Sequence, residues 1–115
     1  MVLIDANTAS SAEITSGAIQ SAHRAQLVGE TTFGTGTVLL PFELPGGASI
    51  RLAVERWLTP DGVLIFGKGI TPDVEVTLGP TDAPVEPDEL GSMTADQVRA
   101  IHDPQLLRAI ELLSP

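Results

Sequence analysis

The architecture of this chain follows from its first segment, Val2-Leu3-Ile4-Asp5-Ala6-Asn7-Thr8-Ala9-Ser10-Ser11-Ala12-Glu13-Ile14. The apolar start predicts a short buried strand, and a helix is predicted to begin directly after the small polar residues. Ser10 therefore lies at a strand-to-helix turn, where a serine can act as a nucleophile and backbone N–H groups can hold an oxyanion. Ser10 and Glu13 also fit a capping box, and spacing alone favours that structural role.

The next residues extend this segment into a strand–helix–strand unit. A helix is predicted over 11–23, because apolar residues recur on one of its faces, and a second short strand is predicted over 25–29. Two strands joined by a helix pair in parallel. The pattern therefore predicts a mixed α/β fold.

A glycine-rich loop at 32–37 separates this unit from a predicted β-hairpin. Strand-like residues run over 38–44 and 48–58, and Pro45-Gly46-Gly47 forms the turn between them. Apolar and polar residues alternate in the second strand, which predicts one buried face that contains Ile50, Leu52 and Val54. The alternation slips at 56–58, which predicts a β-bulge there. Two further short strands are predicted over 63–66 and 74–78.

The last third of the chain differs in composition. Residues 79–93 are rich in proline and acidic residues and are interpreted as a linker or a surface loop. Two helices are predicted within 94–115, the first capped by Thr94 and the second opening at Asp103-Pro104. The predicted organisation is therefore a unit at 1–78, a linker at 79–93 and C-terminal helices at 94–115.

Composition excludes several classes of function. The chain has 115 residues and a net charge of −9, with 15 acidic and 6 basic residues, so no basic cluster is available to bind nucleic acid. The absence of cysteine excludes thiolate metal sites and disulfides. The motif Gly34-Thr35-Gly36 precedes a strand rather than a helix, which argues against a dinucleotide site. No cofactor and no metal are expected.

Four motifs in the same order resemble the carboxyl-terminal processing peptidases, also called tail-specific proteases, which are serine peptidases of the S41 type. The first is the block at 2–14, and the second is Val28-Gly29-Glu30-Thr31-Thr32-Phe33-Gly34 with the Gly36-Thr37-Val38 that follows. The third is Trp57-Leu58-Thr59-Pro60-Asp61-Gly62, and the fourth is Gly67-Lys68-Gly69-Ile70-Thr71-Pro72-Asp73. The resemblance covers residues 2–78 well and the tail loosely.

The resemblance assigns site residues and also reveals two departures. It puts the nucleophile at Ser10 and an oxyanion donor at the N–H of Ser11. The family's lysine base falls at Thr35 and its glutamine falls at Leu39. Threonine cannot take a proton from a serine hydroxyl at neutral pH. Three explanations follow: a base recruited from an upstream segment or from Lys68, a degenerate peptidase that only binds peptides, or a replaced lysine.

The resemblance implies a partial ClpP/crotonase-like layered superhelix with a β-hairpin and C-terminal helices. It implies a serine-type endopeptidase that acts on the C-terminal tails of proteins in an extracytoplasmic compartment, the periplasm or cell envelope, within an exported or membrane-associated protein. Because a strand begins directly after Met1, the chain is expected to be a fragment of a longer protein. Family members generally also carry a PDZ-like module and an upstream half of the catalytic domain, so the fragment is expected to be inactive. A truncated half-fold is expected to expose an apolar patch and to self-associate through it. The alternatives are a peptide-binding or scaffolding pseudoprotease and a structural domain in which Ser10 only caps a helix.

Overall fold

The computed structural model describes residues 1–114 and has a mixed α/β fold. Its strands are β1 (Val2–Ile4), β2 (Leu27–Gly29), β3 (Thr37–Glu43), β4 (Ser49–Arg56) and β5 (Val74–Glu75). Its helices are α1 (Ser11–Ser21), α2 (Pro87–Leu90), α3 (Ala95–Arg99) and α4 (Pro104–Leu113). Among these residues no helix is long and apolar enough to cross a bilayer.

A small parallel sheet with strand order β1-β2-β5 forms the base of the molecule. Helix α1 is the crossover between β1 and β2, so the predicted strand–helix–strand unit is confirmed. The buried core lies against this sheet and consists of Ile4, Leu27, Ile65 and Ile70. Residues of the fourth motif thus pack with residues of the first, which fixes the chain segments that surround Ser10.

Helix α1 ends two residues before the predicted end because His23 adopts a left-handed conformation with φ 51°. The His23 N–H donates to the carbonyl of Gln20, and the Arg24 N–H donates to that of Ile19. This pair of bonds is a Schellman motif, a C-terminal cap in which the left-handed position usually holds glycine. The cap turns the chain back toward β2.

Strands β3 and β4 form the predicted antiparallel hairpin, but two details differ from the sequence prediction. The register shift lies between Val38 and Leu39 and not at 56–58. The face predicted to be buried is exposed, since Ile50, Leu52 and Val54 are each 43–46% accessible. Within residues 1–114 the hairpin extends away from the core, and no other strand or helix packs extensively on it.

Three further boundaries differ from the prediction. Residues 63–66 do not form a strand and make only an isolated bridge between Leu58 and Leu64. The last strand is limited to β5, although the Val76 N–H still donates to the carbonyl of Gly29 in β2 at 2.8 Å. The stretch predicted as a linker contains the short helix α2, which begins at Pro87.

The C-terminal helices begin where the sequence predicts. Thr94 and Gln97 make a reciprocal capping box, with the Gln97 N–H 3.3 Å from Thr94 Oγ1 and the Thr94 N–H 2.7 Å from Gln97 Oε1. Asp103 caps α4 through the Leu106 N–H at 2.9 Å. Helix α4 packs against β1 and β2, and the buried Gln105 donates to the carbonyl of Val76. The tail is thereby attached to the parallel sheet.

Candidate active site

Ser10 occupies the turn between β1 and α1 in an unusual backbone conformation. Its φ is 57° and its ψ is −120°, a combination that L-residues rarely adopt and that costs free energy. Such strain is concentrated at functional sites, where the surrounding structure imposes it. A serine on a strained strand-to-helix turn has the geometry of a nucleophile elbow.

The Ser10 hydroxyl does not make the predicted cap. Within residues 1–114 its side chain accepts no hydrogen bond from the first turn of α1, and the Glu13 N–H instead bonds the Ser10 carbonyl at 3.0 Å. Ser10 and Glu13 keep the paired arrangement of a capping box, and its well-formed hydrogen bond is the one from the Ser10 N–H to Glu13 Oε2 at 2.9 Å. Ser10 is exposed, so its oxygen is accessible to a ligand.

The N–H of Ser11 is also free among residues 1–114. The neighbouring amides are engaged, since Ala12 donates to the carbonyl of Ala9 and Glu13 to that of Ser10. Ser11 also lines a groove of about 380 Å³, of which Ser10 is not a lining residue. It is lined by Val2, Leu3, Ile4, Thr8, Ser11, Ala12, Thr15, Ser16 and Ile19. A free amide at a helix N-terminus can bind an oxyanion, and an accessible hydroxyl next to it can act as a nucleophile.

Sequence reasoning predicted Glu13 only as a capping residue, but its carboxylate is the centre of the site. Glu13 is fully buried. Oε1 accepts hydrogen bonds from Thr32 Oγ1 and from the Gly34 N–H, both at 2.6 Å. Oε2 accepts from the N–H groups of Ser10 and Thr35, both at 2.9 Å. The serine turn and the glycine-rich loop are therefore joined by one side chain.

The electrostatics of Glu13 follow from these bonds. Burial on its own would raise the pKa of the carboxyl, but the hydrogen bonds from Thr32, Gly34, Ser10 and Thr35 outweigh burial and hold the pKa below its ordinary value. The group is therefore a carboxylate at neutral pH. The sequence signal for this role was the S-x-x-E spacing, which identified one of the four donors.

The turn before Ser10 is organised by a second carboxylate. Asp5 Oδ1 accepts from the N–H of Asn7 at 3.0 Å and from both the N–H and the hydroxyl of Thr8 at 2.8 Å. Desolvation opposes ionisation of Asp5, but these hydrogen bonds prevail and lower its pKa. The Thr8 carbonyl accepts from the Phe33 N–H at 2.9 Å, which connects the turn to the glycine-rich loop.

The glycine-rich loop packs against the fourth motif at Gly34. Gly34 has φ 85°, and a Cβ there would lie 2.9 Å from the N of Gly69. The Gly34 carbonyl accepts from the Gly67 N–H at 2.9 Å. Glycine is required at this position both by its conformation and by the close approach of the second chain segment.

The structure brings Thr35 close to Ser10, whereas Leu39 lies in the exposed hairpin. The amides of Ser10 and Thr35 bond the same oxygen of Glu13, so the two residues are neighbours. Leu39 follows the register shift in β3 and is 51% exposed. Lys68 lies on the turn next to Gly34, and its side chain is exposed. A lysine base would need to be desolvated, and Lys68 does not meet that condition.

With this geometry established, comparison with known proteins assigns the family. The sequence profile of Peptidase family S41 matches residues 1–76. The chain belongs to peptidase family S41. It is 45% identical over 78 residues to the carboxy-terminal processing protease CtpA of Bacillus subtilis, which covers 68% of this chain and 17% of that protein. A probable CtpA-like serine protease of Staphylococcus epidermidis is 41% identical over 76 residues, covering 66% of this chain and 16% of that protein.

Solved structures agree with this S41 assignment. A photosystem II D1 C-terminal processing protease aligns with a TM-score of 0.66 and 34% identity, covering 77% of this chain and 22% of that structure. Mature CPAF aligns with a TM-score of 0.58 and 25% identity, covering 64% of this chain and 15% of that structure. This S41 chain spans 17% or less of the length of the CtpA proteins quoted above.

Proposed function

We propose that this chain carries the nucleophile side of an S41 serine peptidase site that cleaves proteins near their C-termini. The observation that supports this best is Ser10, whose strained backbone directs a free hydroxyl to the surface. The relatives named for carboxy-terminal processing support the substrate class. The expected larger frame is a ClpP/crotonase-like layered superhelix in an exported or membrane-associated protein, which acts in the periplasm or cell envelope.

In the proposed reaction the Ser10 oxygen attacks the scissile carbonyl of the substrate. The carbonyl oxygen gains negative charge, and the free N–H of Ser11 donates a hydrogen bond to it. Ser10 loses its proton to a general base as the new bond forms, and the base returns a proton to the departing amine when the C–N bond of the substrate breaks. Water then releases the acyl group from Ser10. Thr35 stands at the family's lysine position and cannot serve as that base. We therefore propose that a base from another part of the protein accepts the proton, or that the proton passes to water slowly and without catalysis.

A second candidate function is supported by the residues at 35 and 39. Thr35 and Leu39 together remove the family's lysine and glutamine but leave the backbone around Glu13 in place. A protein with this arrangement would bind a peptide tail and leave it uncut. The two candidates differ in whether Ser10 becomes covalently modified.

A fluorophosphonate probe, which modifies activated serines, separates the two. We expect slow labelling of the full chain, loss of labelling in Ser10→Ala, and normal labelling in Ser11→Ala, because that change keeps the Ser11 N–H. Thr35→Lys, alone or with Leu39→Gln, should raise the labelling rate about 100-fold, since a positioned general base contributes about 10²–10⁴-fold. Intact-mass spectrometry gives the rates. If no variant is labelled and a peptide with a free C-terminus binds uncut, the pseudoprotease is correct.

We also propose that the exposed hairpin face mediates self-association. Cross-strand partners share a face, so Leu40 and Phe42 of β3 lie beside Leu52 and Ile50 of β4, each 44–48% exposed. These four partners are all apolar, and the carboxylate of Glu55, which pairs with Val38, lies at the base of the same face in a chain of net charge −9. Two copies can therefore meet through the outer, apolar part of the face while their Glu55 side chains stay apart.

A further inference from the structure

The buried carboxylate of Glu13 is bonded to both parts of the chain that the proposed reaction uses. Its donors come from the serine turn, at Ser10, and from the glycine-rich loop, at Thr32, Gly34 and Thr35. We propose that Glu13 is a positioning residue that holds Ser10 and position 35 in one fixed relation. This inference rests on the proposed function and assigns the residue that sets the geometry of its site.

Glu13 does not act as the base itself. A carboxylate has about four acceptor positions, and all four are filled by donors between 2.6 and 2.9 Å away. The side chain is fully buried, so the Ser10 hydroxyl at the surface has no free oxygen of Glu13 to bond. Its effect on the reaction is therefore exerted through the backbone.

The bond to Ser10 fixes the direction of the nucleophile. The Ser10 N–H donates to the buried Glu13 Oε2, while Ser10 itself is exposed. A backbone with φ 57° is retained only where neighbouring groups hold it there, and this charge-assisted bond is one of those constraints. Loss of the carboxylate would allow the turn to relax toward an ordinary helix start.

The hydrogen bond from the Thr35 N–H to Glu13 fixes the backbone at position 35, whichever side chain that position carries. Glu13 holds residue 35 by its amide, so a lysine at 35 would leave the loop from the same backbone position as threonine. Thr32 reinforces this arrangement, because its hydroxyl donates to Glu13 and accepts from the Ile70 N–H at 2.8 Å. The loop is thereby attached to the fourth motif as well.

The first test is local hydrogen exchange in Glu13→Gln, measured by NMR on the full chain. Glutamine has nearly the same volume as glutamate, but its NH₂ group places hydrogen-bond donors against the donors that surround Glu13. We expect amide exchange at Gly34 and Thr35 to accelerate at least tenfold, while the core amide of Val28 is unchanged. Glu55→Gln, an exposed residue with the same charge change, is the matched control and should alter none of these amides.

The second test separates positioning from general stability. In a Thr35→Lys background, Glu13→Gln should lower the maximal labelling rate at saturating fluorophosphonate at least tenfold, with less than a twofold change in the half-saturating probe concentration. If Glu13→Gln does not fold, Thr32→Val should produce the same pattern more weakly. Unchanged exchange at Gly34 and Thr35, or uniform acceleration that includes Val28, would overturn the inference. If no variant is labelled, the proposed function fails while the exchange result still decides the role of Glu13.

Discussion

At the residue scale, Ser10 combines a strained backbone with a hydroxyl that makes no cap bond. The sequence predicted its place in a strand-to-helix turn, since strand and helix signals are local. It also predicted a cap, because the same spacing serves both roles. The network around Glu13 could not be predicted, because three of its donors lie 19 to 22 residues along the chain.

A mutation at Ser10 separates a nucleophile from a cap. Removal of a capping hydroxyl costs about 1 kcal/mol of the free energy of unfolding. Since the Ser10 hydroxyl caps nothing among residues 1–114, Ser10→Ala should cost less than about 0.5 kcal/mol in urea denaturation. Thr94→Ala, which removes a cap that does form, is the positive control. A loss at Ser10 equal to that at Thr94 would favour the structural role.

The lowered pKa values of Glu13 and Asp5 predict acid sensitivity. A group whose pKa is lowered by folding adds stability above its unfolded value, and that stability is lost as pH falls through the folded value. The ordinary values are 4.5 for Glu13 and 3.8 for Asp5. Urea midpoints should therefore be flat from neutral pH to about 4.5 and then fall.

Glu13→Gln and Asp5→Asn should each flatten that acid-side decline, since neither replacement titrates. Glu55→Gln, whose carboxylate is exposed, should leave the pH profile unchanged. A profile in which the wild-type chain and Glu13→Gln lose stability in parallel would contradict the network described for Glu13.

At the element scale, the end of α1 and the hairpin show two limits of sequence reading. The helix was predicted to include His23, because the apolar stripe continues to Ala22 and no glycine marks the cap. The bulge was predicted at 56–58 in the second strand from its broken alternation. The extra residue does lie in that strand, but earlier, at Val54, opposite the step from Val38 to Leu39. Register depends on both strands, so one strand alone does not locate a bulge.

The Schellman motif predicts a stabilising substitution at His23. Its φ of 51° costs an L-residue about 1–2 kcal/mol, and glycine recovers part of this after its greater unfolded-state entropy is counted. His23→Gly should raise the free energy of unfolding by about 0.5–1 kcal/mol. Ala22→Gly, at φ −81°, is the matched control and should lower it. Destabilisation by His23→Gly would contradict this and would indicate that the imidazole makes a stabilising contact.

At the scale of the whole molecule, the four motifs that identified the family converge on one region. Glu13 of the first bonds Gly34 of the second, Gly34 bonds Gly67 of the fourth, and Trp57 of the third bonds Gly36. Only the order of these motifs could be read from the sequence, because spacing carries no information on long-range contacts. The hairpin face was predicted to be buried from alternation alone, and the described residues contain nothing that covers it.

Self-association belongs to this scale as well. Sedimentation velocity at micromolar concentration should detect species larger than 12.0 kDa. Leu52→Lys puts a charge on the apolar hairpin face and should shift the chain toward monomer. Ala53→Lys, one residue along on the opposite face, is the matched control and should leave the distribution unchanged. Purely monomeric wild-type chain would remove the self-association proposal.

The most direct measurement is a crystal structure of Thr35→Lys after reaction with a fluorophosphonate. We expect a phosphorus–oxygen bond to Ser10 and a phosphonyl oxygen about 2.7–3.1 Å from the Ser11 nitrogen, with Ser10 still at positive φ. Phosphonylation of a different side chain, or a phosphonyl oxygen directed away from Ser11, would contradict it.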